Sequence, residues 1–135
     1  MNYSKSQNLS LLILRLIIAS IFIVAGYGKF PMWSGNPYNL GSFDLNMMKF
    51  LSIAEPLGAL ALIIGIFTRL AATCLAIVLA GAIYYCLVVY KLGFFPAGAS
   101  GWSFPLCILG GCIILATFGA GGLSVDAARG KNRTW

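Results

Sequence analysis

The chain has 135 residues, of which 60% are hydrophobic and 9% charged; a soluble domain carries roughly a quarter charged. Its mean hydropathy of +0.91 excludes intrinsic disorder. It also argues against a soluble enzyme, because a small fold leaves much of its surface in water. Nine Lys+Arg face three Asp+Glu, for a net charge of +6. The basic residues sit mainly at the ends of apolar runs, the pattern of a membrane protein oriented by its loops, and no basic patch points to nucleic acid. The chain has no His, which removes His-ligated haem, most zinc sites and His-based proton relays. No metal and no covalent cofactor are expected.

In chain order, four apolar runs cover about residues 9–30, 48–67, 70–90 and 103–119. Each is near the ~20 residues that a helix needs to cross a hydrocarbon core, and none alternates as a barrel strand would. The expectation is an all-α membrane protein, a bundle of four transmembrane helices forming one domain. Arg15 interrupts the first run, which argues for a retained helix rather than a cleaved leader. Residues 31–47 read as a long outer loop with Trp33, Gly35, Pro37 and Gly41. The second and third runs join in a tight turn near Gly65–Arg69. The tail, 122–135, reads as polar and basic. Lys5, Arg69, Arg129, Lys131 and Arg133 fall on one side and Lys29, Lys49 and Lys91 on the other, so both termini are expected inside.

Charges within spans are costly and tend to mark function. Arg15, Ala19, Phe22, Gly26 and Lys29 follow a 4-3-4-3 spacing and share one helix face. Glu55 lies near mid-membrane on the second span, and Arg69 ends that span on the inner side. At ~1.5 Å per residue, Glu55 falls in depth between Lys29 and Arg15, roughly 10 Å from each. Pro56 removes the helix bond to the Ser52 carbonyl, so a kink, a carbonyl and a carboxylate converge on a polar pocket. The alternative is a structural ion pair fixing the first helix to the second. Unless Asp126 folds back to Arg69, the basic surplus suits an anionic or carbonyl-bearing ligand such as a quinone, a lipid phosphate or an oxyanion. Tyr84 or Tyr85, in the outer half of the third helix, would point inward toward Glu55 or pack ordinarily. The four cysteines form no C-x-x-C and read as small packing residues.

Leu14-Arg15, Phe22, Ala25-Gly26 and Gly28-Lys29-Phe30 resemble the first helix of the DoxX family. Glu55, then Gly65 to Arg69 and Ala71-Ala72, resemble its second and third, and Gly121-x-x-Ser124-x-Asp126 resembles its closing segment. The resemblance implies a small four-helix protein of the bacterial inner membrane, where termini on the inner side are cytoplasmic. It implies a membrane subunit or accessory factor of a quinone- or thiol-linked redox system, working with a redox partner protein. It carries over Arg15, Gly26, Lys29, Glu55, Arg69 and Asp126. The rivals are a non-enzymatic scaffold, alone or as a homo-oligomer in the lipid bilayer, and a small transporter of an anion or lipid-like molecule.

Overall fold

The structure is a computed structural model that describes residues 3–98 and 100–131. Five helices follow one another: α1 (Lys5–Tyr27), α2 (Ser42–Ile64), α3 (Thr68–Tyr84), α4 (Ser103–Phe118) and α5 (Val125–Lys131). A 3-10 turn, Phe30–Trp33, follows α1, and a π turn, Tyr85–Val89, extends α3. Three of the helices are long and apolar enough to cross a membrane, α1 and α3 being counted with the turns that extend them; α4 is apolar but shorter. Its sixteen residues span about 24 Å, short of a ~30 Å hydrocarbon core.

Local chemistry sets the boundaries. Ser4 starts α1 with a reciprocal capping box: its hydroxyl accepts from the Gln7 N–H at 3.3 Å, and the Gln7 side chain accepts from the Ser4 N–H at 2.8 Å. That arrangement satisfies two otherwise orphaned donors. Gly41, in an extended conformation, precedes α2, with Asp44 in the first turn where a carboxylate suits the positive end of the helix. Here the chain departs from the expected outer loop over 31–47. The first part of that loop is the 3-10 turn, and α2 begins at Ser42 rather than near residue 48. The last turn of α2 closes at Gly65, left-handed at φ 72°, as helix ends commonly do. Within the polar, basic tail 122–135, Val125–Lys131 forms α5. Arg133, one of the charges in the topology count, lies outside the described residues.

Packing is strongest between α1 and α2 and between α3 and α4, so the bundle is two tight pairs joined at the α2–α3 turn. The core is one cluster with Leu11, Ile18, Ala19 and Phe22 from α1, Ala59 and Leu62 from α2, Ala72, Leu75 and Leu79 from α3, and Ile108, Cys112 and Leu115 from α4. Outside it, large apolar side chains such as Val24, Leu57, Leu70 and Ile77 are exposed on every long helix. That distribution is stable only in lipid. Gly26 and Gly111 permit close helix approach: a methyl at Gly26 would stand 2.5 Å from Pro56 Cγ and Cδ, and one at Gly111 would stand 2.8 Å from Ile18 Cδ1. Small residues at such crossings are what membrane packing selects.

Candidate functional site

The expected ladder of charges resolves into two separate clusters. The first lies at the end of α1 away from the termini. Lys29, just beyond α1, reaches across to α2, and its Nζ donates to Glu55 Oε2 at 2.6 Å. It also donates to the Ala25 carbonyl at 3.1 Å. Glu55 belongs to a buried face of α2 formed by Ser52, Glu55, Ala59 and Leu62. Its side chain is 4% exposed, against 20% for that of Lys29. The pair is therefore sheltered on the acid side and open on the ammonium side. Pro56, next to Glu55, stays within a continuous α2, and its ring fills the space left by Gly26.

The 3-10 turn folds back over this end. Met32 is buried, and the Trp33 indole N–H donates to Ser52 Oγ at 2.9 Å, three residues before Glu55 on the same face of α2. Ser52 Oγ in turn donates to the Lys49 carbonyl at 2.7 Å, and the Lys49 ammonium lies 5.9 Å over the Trp33 ring. Tyr85 does not turn to Glu55. Its hydroxyl donates to Asp44 Oδ1 at 2.5 Å, because the π turn that starts at Tyr85 aims it at the first turn of α2. Tyr84 is largely exposed.

The second cluster closes the end that holds both termini. Arg15 is fully buried. Its guanidinium donates to the Leu62 carbonyl at 3.3 Å and to the Leu123 carbonyl at 2.5 Å. The first of these is among the last carbonyls of α2, which have no partner within their own helix. Arg15 makes no ion pair with Glu55, so the expected Arg15–Glu55 pocket is replaced by two sites further apart. The physical reason is that the helix end and the returning chain offer Arg15 carbonyls at its own depth, while Lys29 reaches Glu55 first. A methyl at Gly65 would collide with Arg15 Nη1 and Ser124 Cβ, so this turn requires glycine for space as well as for its φ.

Asp126 holds the other side of the turn. Its Oδ1 accepts from the Phe67 N–H and its Oδ2 from the Thr68 N–H, both at 2.9 Å. Its own N–H donates to the Gly65 carbonyl at 2.9 Å. It thus caps the start of α3 from a distance in sequence of almost sixty residues. Arg69 does not end α2: it is the second residue of α3, it is exposed, and Asp126 does not pair with it. Asn8 fastens the same closing segment, accepting from the Gly122 N–H at 2.5 Å.

Asp44, Ser52, Asn8 and the Leu62 and Leu123 carbonyls have roles that the sequence reading did not assign. Only Asp44 left a signal, as one of three acids in the chain; the carbonyls left none. The four cysteines are free thiols, with Cys112 buried and Cys74 and Cys107 exposed. Among the described residues, no group of three or more His, Cys, Asp or Glu is placed to hold a metal.

The DoxX family model matches residues 10–90, which contain Arg15, Gly26, Lys29, Glu55 and Arg69 and stop short of Asp126. An uncharacterised protein of Haemophilus influenzae is 30% identical over 130 residues, covering 93% of this chain and 94% of that protein. The inner membrane protein YqjF of Escherichia coli K12 is 27% identical over 135 residues, covering 97% and 98%. No solved structure matches the chain.

Proposed function

This chain belongs to the DoxX family, and from that premise we propose that it is a membrane subunit or accessory factor of a quinone-linked redox system. One observation carries the reading. An ammonium has three hydrogens; Lys29 gives two of them, to Glu55 and Ala25, and the third has no partner among the described residues. Glu55 holds that ammonium in place and balances its charge, while its open side can donate to a ligand carbonyl. Hydrogen bonds from charged donors are about twice as strong as neutral ones. A quinone carbonyl fits such a donor, and a bound quinone would supply the electron-carrying chemistry. Buried Met32 and the Trp33 that donates to Ser52 lie in the 3-10 turn that directly follows Lys29.

The likeness to an inner membrane protein supports an inner-membrane location, and the excess of basic residues at the termini end supports cytoplasmic termini. A partner protein would deliver or accept the electrons, because the side chains described here provide a binding and orienting site rather than a redox centre. A scaffold is the rival reading, favoured by the way Arg15 and Asp126 are committed to closing the bundle.

The test is native mass spectrometry of the purified protein titrated with a short-chain ubiquinone. Wild type should retain the quinone, and the volume-preserving double variant Lys29→Met/Glu55→Met should not. Equal retention by both would overturn the quinone reading.

A further inference from the structure

Two grooves meet on the outside of the bundle, at the end opposite the Lys29–Glu55 pair. The first runs between α2 and α3, where helix packing is thinner than within the two tight pairs. It measures about 510 Å³ and is lined by Phe50, Ala54, Leu57, Phe67, Leu70 and Cys74 among others, with scarcely a polar atom. The second is mixed, with polar and apolar walls, and lies at the termini end, lined by Asn8, Arg69, Gly122, Asp126, Phe118 and Ala127 among others. Phe67 and Leu70 line both. An apolar groove thus opens directly onto one that offers polar groups.

The second groove carries unpaired positive charge. The Arg69 guanidinium makes no ion pair or hydrogen bond among the described residues, and it lies over Gly119, where a methyl would stand 3.3 Å from Nε. The one acid in the groove, Asp126, has both carboxylate oxygens on the Phe67 and Thr68 N–H groups. Arg129 does not line the groove; its guanidinium stacks 5.8 Å over the ring of Phe67. Phe67 itself is exposed and held at φ 47°, a backbone region that ordinary residues avoid and that clusters at binding sites.

We propose that these joined grooves bind one anionic phospholipid, with its phosphate at Arg69 and an acyl chain along the α2–α3 groove. The order of the two grooves matches the order of a lipid's parts. Guanidinium suits phosphate, which it can engage with two parallel N–H groups. The apolar groove gives a hydrocarbon chain a fixed path past Phe67 and Leu70 to Cys74 and Phe50. This site is independent of the Lys29 reading and would stand if that one fell.

The experiment is native mass spectrometry of the full chain with phosphatidylglycerol or phosphatidylcholine bearing identical acyl chains. Wild type should retain phosphatidylglycerol about fivefold more than phosphatidylcholine, the preference expected of one basic side chain near a lipid surface. Arg69→Gln should equalise the two lipids and Arg69→Lys should keep the preference. Cys74→Trp, which fills the apolar groove, should lower retention of both. Free glycerol phosphate should not displace the lipid. Equal retention by wild type, a preference surviving in Arg69→Gln, unchanged retention in Cys74→Trp, or displacement by glycerol phosphate would each overturn the proposal. The wild-type comparison needs no variant, so a folding defect cannot hide the result.

Discussion

Lys29 and Glu55 meet at 2.6 Å across the α1–α2 interface, while Arg15, on the same face of α1, donates to backbone carbonyls at its own depth instead. The chain therefore treats these two cations differently. Arg15 is fixed by the fold and fully enclosed. Lys29 is fixed by one carboxylate and left partly open, which makes it the cation with capacity for a ligand.

Glu55→Gln removes the charge that balances Lys29 and keeps the shape. Breaking a fully buried pair costs roughly 3–5 kcal/mol; with the ammonium partly open, about 2 kcal/mol is expected here. Thermal unfolding in detergent checks this. Lys29→Met in the Glu55→Gln background should recover part of the loss, because the stranded cation goes with it.

Gly65→Ala should be among the most damaging single-methyl additions in the chain. The position has φ 72°, which costs a side-chain-bearing residue roughly 1–2 kcal/mol, and the methyl also meets Arg15 and Ser124. The expected result is a lower midpoint of unfolding and earlier proteolysis of the tail, since Arg15 can no longer hold Leu123.

Asp126→Ala should release the start of α3. It removes both bonds to the Phe67 and Thr68 N–H groups, and loss of a helix cap costs about 1 kcal/mol. Hydrogen exchange of those two amides should speed up, while the amides near Lys29 keep their rates. Asp126→Asn should give a smaller effect, because the amide oxygen still accepts one bond.

Gly26→Ala tests the close approach of α1 to Pro56. Overpacking a tight contact costs roughly 1–3 kcal/mol, and the added methyl would displace α1 beside Lys29. The measurable outcome is weaker retention of quinone together with a lower unfolding midpoint.

The helical bundle was legible because apolar length and charge placement report directly on a membrane environment. The spacing of Arg15, Ala19, Phe22, Gly26 and Lys29 reported one face of α1, and all but Lys29 are buried on it. Partners were less legible. Depth along two antiparallel helices left Glu55 about equally far from Lys29 and Arg15, and side-chain reach decided between them. Arg15's acceptors are carbonyls, which every residue possesses and no sequence pattern marks. Resemblance places Asp126 in the closing segment, but its partners are backbone amides at the α2–α3 turn rather than Arg69. The early start of α2 at Ser42 was hidden by the glycines and prolines before it, which read as a single long loop.

The most direct test of the central claim is difference infrared spectroscopy of a carbonyl-labelled short-chain quinone bound to the protein. The account predicts that one carbonyl stretch moves to lower frequency in wild type, and that Lys29→Met/Glu55→Met abolishes the shift. A bound quinone whose two carbonyls absorb as they do in hydrocarbon, or a shift that survives in the double variant, would contradict it.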